Sequence, residues 1–287
     1  MPTLAPPRPR FELPAVAFFG RSFNEYARFF ALNPVALRRR AVLDVAAGPS
    51  SFTIEATRLG IDAVAVDPLY QTGPSQLAAQ VRDDYARVVE QMRSKPRLFR
   101  LKAFPSLDAA EADRRAAAQK FLADYEGNAR HGRYVRGALP LLPFLDGAFD
   151  HVLCAHLLFI YAAQFDFAWH VAACVELVRV SGGDVRIHPV CGSDGRPYPG
   201  LGRLMTELRT RGIASVVVPV NYEFFAGSGR MLVLTRVPAR NRRTPAVSYG
   251  RPQVNSEFDA LRSSAVGPTV CERPESASKL ADLRQTA

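Results

Sequence analysis

The stretch VLDVAAGPSS at 42–51 decides the fold when it is read together with AVAVD at 63–67. Residues 41–45 are a short apolar, β-branched run that predicts a buried strand. Residues 51–59 suit a helix closed by Gly60, and 63–67 predict a second buried strand. Strand, helix and strand within about 25 residues make one βαβ unit of a parallel sheet. Between the first strand and its helix the chain is small: Ala46, Ala47, Gly48, Pro49, Ser50. Such a turn lets a ligand approach the backbone and meet the free N–H groups of the helix. Asp67 ends the second strand about 20 residues beyond Asp44, the spacing at which an acid reaches a ribose hydroxyl pair. The alternative for Asp67 is a cap or turn residue before Pro68.

Outward from this unit the pattern continues as alternating helices and strands. Phe23, Tyr26, Phe29 and Phe30 recur at helical spacing within 18–32. From 71 to 132 two amphipathic helices are predicted, one carrying Leu77, Val81, Tyr85, Val88 and Met92, the other Ala117, Ala118, Phe121, Leu122 and Tyr125. The connection at 95–105 is basic and broken by prolines. An insertion of this length reads as a helical lid, and its basic residues would favour an anionic acceptor. Strands follow at 133–138, 150–157 and 184–190, with a helix over 168–178 that Ser181, Gly182 and Gly183 are expected to terminate. Two apolar runs at 213–220 and 231–237 predict an antiparallel hairpin. Residues 1–17 and 238–287, rich in Pro, Arg and Ser, are expected to be disordered. The folded region is therefore placed at 18–237, as an α/β sheet of seven strands, mostly parallel.

The chain has 287 residues, 48% of them hydrophobic and 22% charged, in the range of ordinary globular proteins. No run approaches the ~18 consecutive apolar residues of a membrane span. The start lacks the pattern of a secretory signal, so a cytoplasmic location is expected and no membrane partner. Four cysteines, Cys154, Cys174, Cys191 and Cys271, are scattered without a CxxC pair, which gives neither a zinc site nor a disulfide framework. The formal charge is +10, and four of the 37 basic residues are lysine. Basic clusters such as Arg38, Arg39 and Arg40 attract phosphates, but they more often form a solvated face.

Four segments in order resemble the class I S-adenosylmethionine-dependent methyltransferases, within them the type-11-like group: VLDVAAGPS at 42–50, AVDPLY at 65–70, LPFLDGAFDHVLCAH at 142–156 and ELVRV at 176–180. GRSFNEY at 20–26 and AGPSSF at 47–52 are similar to a bacterial subgroup of these enzymes. The resemblance covers about 18–237. It implies a Rossmann-like fold, S-adenosyl-L-methionine as cofactor and methyl transfer to a small-molecule acceptor. Carried over by residue, Asp44, Ala46, Gly48 and Ser50 would line the methionine portion, Asp67 the ribose, and Pro68 and Leu69 the adenine, with Ala138 and Leu139 at its edge. Two departures stand out: of three usual glycines only Gly48 is present, and Ala138 stands where an aspartate usually meets the adenine amino group.

Arg21 and Tyr26 could reach the cofactor carboxylate, a guanidinium being well shaped for it. The alternative is a cap helix whose arginine is solvated and whose tyrosine packs. His156, at the end of the fourth strand, is a candidate general base or a residue that packs on the cofactor. Tyr161 and Phe159 are candidates for contact with the acceptor or for the core. No metal is needed, because displacement at a sulfonium asks for alignment above all. Competing readings are a cofactor-binding protein without catalysis, a methyltransferase acting on nucleic acid, and a nicotinamide-dependent oxidoreductase. The missing glycines and the segment at 142–156 disfavour the last.

Overall fold

The computed structural model describes residues 10–128 and 131–237. Of the predicted tails 1–17 and 238–287, residues 1–9 and 238–287 lie outside these described residues. Seven strands, β1 (Ala41–Val45), β2 (Asp62–Asp67), β3 (Tyr134–Arg136), β4 (Phe149–Ala155), β5 (Ser181–His188), β6 (Ile213–Pro219) and β7 (Arg230–Arg236), form one sheet in the order β3-β2-β1-β4-β5-β7-β6. The first five are parallel, and β7 runs antiparallel to both β5 and β6. This is the mostly parallel sheet with an antiparallel end that the resemblance implies.

β1 is an inner strand between β2 and β4 and is buried from Val42 to Val45, which is why its sequence, Asp44 apart, is apolar without alternation. Helices α2 (Phe52–Arg58) and α5 (Phe167–Val180) pack on the sheet. Asp166 caps α5 by accepting the Trp169 amide at 2.7 Å. The insertion folds as α3 (Pro74–Ser94) and α4 (Leu107–Asn128), which pack on each other, as the two apolar stripes predict.

Four local expectations are corrected. The helix expected over 18–32 is the shorter α1 (Phe23–Phe29), capped by Ser22. Gly20 lies before that cap, and glycine is required there because a Cβ would lie 1.9 Å from the Pro49 carbonyl oxygen. Residues 10–17 are packed rather than disordered: Val16 is 3% exposed, and the Phe11 ring meets Phe99 and Phe225 edge-on. Gly182 and Gly183 do not form a turn after α5 but open β5. A Cβ on Gly183 would stand 2.3 Å from the Asp150 carbonyl oxygen, so glycine is required where β4 and β5 draw together. Finally, α6 (Leu201–Thr210) was not anticipated. It rests on Leu204 and Leu208, one turn apart and fully buried.

Cys154, Cys174 and Cys191 are buried free thiols. Burial pushes Cys174 and Cys191 up to about 12 and raises Cys154 as well. Among the described residues no helix is long and apolar enough to cross a membrane.

Candidate ligand site at the carboxyl ends of the first and fourth strands

In an open parallel sheet the ligand crevice lies outside the carboxyl ends of the strands where the strand order reverses, here between β1 and β4. A pocket occupies that place, lined by Ala46, Ala47 and Gly48 after β1, by Ala155, His156 and Leu157 at the end of β4, and by Pro189 after β5. Both strand ends turn through left-handed backbone: φ is +55° at Ala46, +58° at Gly48 and +52° at His156. Only the glycine is at ease there. The strain at Ala46 and His156 is of the kind that collects at binding sites.

Two residues of the lining carry a buried polar atom without a hydrogen-bond partner among the described residues, Arg21 Nε and His156 Nδ1, and so does Asp44, through Oδ2, next to the lining residue Tyr26. Asp44 is fully buried, and its Oδ1 accepts the Tyr26 hydroxyl at 3.1 Å. Burial pushes the Asp44 carboxyl well above the usual range, the Tyr26 hydroxyl opposes this, and Asp67 adds to the rise. Arg21 donates through Nη1 to the Phe19 carbonyl at 3.1 Å. Burial drives His156 well below the usual imidazole value, with Arg21, His188 and Arg114 adding positive charge nearby, so its ring is neutral near pH 7. An acid, a guanidinium and a neutral imidazole around one cavity suit a ligand end that carries both an ammonium and a carboxylate.

Beyond this polar end the pocket is an aromatic chamber, walled by Phe11, Phe19, Phe99, Phe224 and Phe225, with Val88 and Met92 from α3. The basic residues of the insertion do not reach it freely. Arg93 pairs with Asp108 and Glu111, Lys102 with Glu223 and Lys120 with Glu55, all near the surface. Arg114 does line the chamber, but Glu25 neutralises it across a 2.7 Å ion pair, both side chains being 2% exposed. The Tyr222 hydroxyl donates to Glu25 Oε1, and the Arg114 guanidinium stacks 3.9 Å from the Phe224 ring centre. Burial alone would raise the Glu25 carboxyl, yet the adjoining Arg114 charge outweighs it and holds it below the usual range. The sequence offered no signal for this cluster, because Glu25, Arg114 and Tyr222 come from distant parts of the chain.

The residues singled out from sequence divide into two groups. Arg21, Tyr26, Ala46, Gly48, His156 and Tyr161 line the pocket together, with Asp44 bonded to Tyr26. The Tyr161 hydroxyl accepts the Ala17 amide at 3.0 Å. Ser50 serves the backbone, its Oγ donating to the Arg21 carbonyl and accepting the Phe52 amide, both at 3.0 Å. Asp67, Pro68, Leu69, Ala138 and Leu139 lie away from the pocket lining. Asp67 is fully buried, and its two oxygens accept the amides of Gly48 at 3.1 Å and Leu69 at 3.0 Å. Leu139 is core, and Leu69 packs among Phe18, Tyr70 and Phe121. His188, whose Nε2 bonds to the Ser228 carbonyl, stacks on Phe29, and no group of metal-ligating side chains is found among the described residues.

The Asp67 contacts carry a prediction. Asp67→Asn presents an amide nitrogen to one of the two backbone N–H groups, and losing a charged hydrogen bond costs about 1.5–3 kcal/mol. A lower urea midpoint without ligand is expected. An unchanged midpoint would show that these two bonds do not stabilise the fold.

No family model matches the chain. An uncharacterised protein of Methanocaldococcus jannaschii is 28% identical over 218 residues, which span 76% of this chain and 95% of that protein. Among solved structures, a TehB-like SAM-dependent methyltransferase from Corynebacterium glutamicum is similar with a TM-score of 0.38 and 15% identity, covering 70% of this chain and 83% of that one. Magnesium protoporphyrin IX methyltransferase from Synechocystis, solved with bound SAH, gives a TM-score of 0.36 at 15% identity, over 70% and 78% of the two chains.

Proposed function

We propose that this chain transfers a methyl group from S-adenosylmethionine to a small molecule held in the aromatic chamber. The observation that carries the reading is the trio of unpartnered polar atoms, Asp44 Oδ2, Arg21 Nε and His156 Nδ1, at the crevice between β1 and β4. Their chemistry fits the amino-acid end of the cofactor: Asp44 takes the ammonium and Arg21 the carboxylate. The resemblance of the segments at 42–50 and 142–156 supports the same reading. The nucleoside end fits less simply, since the Phe18 ring is buried in one cluster with Ala47 and Leu69.

When bound, the cofactor supplies a methyl group on a sulfonium, ready for in-line displacement. The chain has to orient the acceptor, keep water out and take up any proton that the acceptor loses. The phenylalanines of the chamber exclude water and favour a flat, apolar acceptor over a polyanion, which sets nucleic acid aside. Val88 and Met92 of α3 and Arg114 of α4 stand in its wall, so the insertion selects the acceptor. His156 is neutral and can take an acceptor proton on Nδ1, as a base weakened by burial and by the nearby positive charge. His156→Asn is expected to leave cofactor affinity within about twofold and to lower turnover about 10²-fold or more, the scale of general-base catalysis. Unchanged turnover would make His156 a packing residue.

Titration calorimetry with S-adenosylmethionine, followed by a screen for methylated products, tests the reading. Absence of binding overturns it. Binding without turnover on any acceptor would favour a cofactor-binding protein, a second reading to which Ala138 lends support.

A further inference from the structure

In a doubly wound sheet the acid that ends the second strand faces the ribose, and the turn after the first strand faces the next part of the ligand. The place between them here is filled by the chain itself. Phe18 is fully buried and packs on Ala47, Leu69 and Tyr70, with its ring edge-on to Phe121 at 5.9 Å. Its Cδ2 lies 3.8 Å from where a Cβ on Gly48 would stand. The Tyr70 hydroxyl donates to the Gly48 carbonyl at 2.7 Å, and Asp67 turns its oxygens to the amides of Gly48 and Leu69.

We propose that residues 15–19 are a strap whose Phe18 ring occupies the nucleoside place, and that the strap swings out before a nucleoside-bearing cofactor enters, while Arg21 stays at the site. This rests on the cofactor reading above. The strap is held at a few named points. The Phe18 amide donates to Asp84 Oδ2 at 2.5 Å and the Ala17 amide to the Tyr161 hydroxyl at 3.0 Å, and beyond the strap the Arg21 carbonyl accepts the Ser51 amide at 3.1 Å and anchors its end. Val16, Ala17 and Phe19 of the same segment wall the aromatic chamber. Lifting the strap for the cofactor therefore also opens the acceptor chamber, and the two ligands are coupled through one element. A ligand that fills the chamber and steadies the closed strap weakens cofactor binding by the factor by which the cofactor weakens its own.

The test is calorimetry with S-adenosylhomocysteine on the whole chain, as wild type, Phe18→Ala and Tyr161→Phe. Phe18→Ala removes the occupying ring. Tyr161→Phe removes one latch and leaves the ring, which covers the case in which Phe18→Ala does not fold. Binding at least tenfold tighter in Phe18→Ala and severalfold tighter in Tyr161→Phe is expected. Amide exchange on wild type needs no variant: saturating S-adenosylhomocysteine should speed exchange at Ala17 and Phe18. Wild-type binding that both variants match within twofold, with exchange at Ala17 and Phe18 unchanged or slowed, overturns the strap and leaves the cofactor reading standing. No binding by any of the three proteins overturns the cofactor reading, and the strap falls with it.

Discussion

Arg114→Met is expected to cost about 3–5 kcal/mol of stability, because it leaves the Glu25 carboxylate buried without its cation. Against a typical total of about 5–15 kcal/mol this is a large fraction, and the urea midpoint should fall accordingly. The pair ties α1 to α4, and Tyr222 joins it from the β6–β7 connection, so one substitution loosens three parts of the pocket wall. Removing the charge at both positions, as in Glu25→Leu with Arg114→Met, should recover most of the loss, since no lone charge then remains buried. A cost below about 1 kcal/mol for the single variant would show that the pair is solvated rather than buried. The pH dependence has a definite sign. Glu25 is held below its unfolded value, so its contribution is full above that value, about 4.3, and is lost as pH falls through the folded value. Glu25→Gln should flatten the acid limb of the stability curve.

Asp44→Asn is expected to move stability and binding in opposite directions. The carboxyl is raised by burial, so the folded chain holds a proton that the unfolded chain releases. Stability then declines as pH climbs from the unfolded value, about 3.9, to the folded one, and an uncharged amide escapes that decline. Asn still accepts from Tyr26. A higher melting temperature at pH 7 should accompany roughly 10- to 100-fold weaker S-adenosylhomocysteine binding, the scale of about 1–3 kcal/mol for a lost charged contact. In the wild type, affinity should rise with pH until Asp44 is ionised. A variant that lost stability as well as affinity would show that Asp44 supports the fold rather than waiting for a cation.

What was legible in the sequence was local. The runs at 41–45 and 63–67 declare buried strands because all their residues but Asp44 and Asp67 are apolar, without alternation, and the stripes through Tyr85 and Phe121 declare helices within themselves. Gly182 and Gly183 were ambiguous, since the residue that ends a helix is also the residue that lets two strands approach. The short α6 offered two buried leucines on a polar background, too little for periodicity to register. At the site, the turn at 46–48, Arg21, Tyr26 and His156 line one pocket. The position of Phe18 did not show, because its aromatic neighbours at 23, 26, 29 and 30 extend a helical pattern over it. The Ser22 cap and the close approach of Gly20 to Pro49, a tertiary contact, break that pattern.

The buried thiols give the molecule a clock. A thiol raised to about 12 is ionised at pH 8 in only about one molecule in ten thousand, so reagents wait for exposure. Cys154 and Cys174 lie in the central core and register unfolding of the whole sheet. Cys191 follows β5 on the loop beside Gly227, whose added Cβ would stand 3.5 Å from the Cys191 Cβ. In a Cys271→Ser background two labelling rates are therefore expected, a faster one that times loosening around the crevice and a slower one that times the loss of the fold.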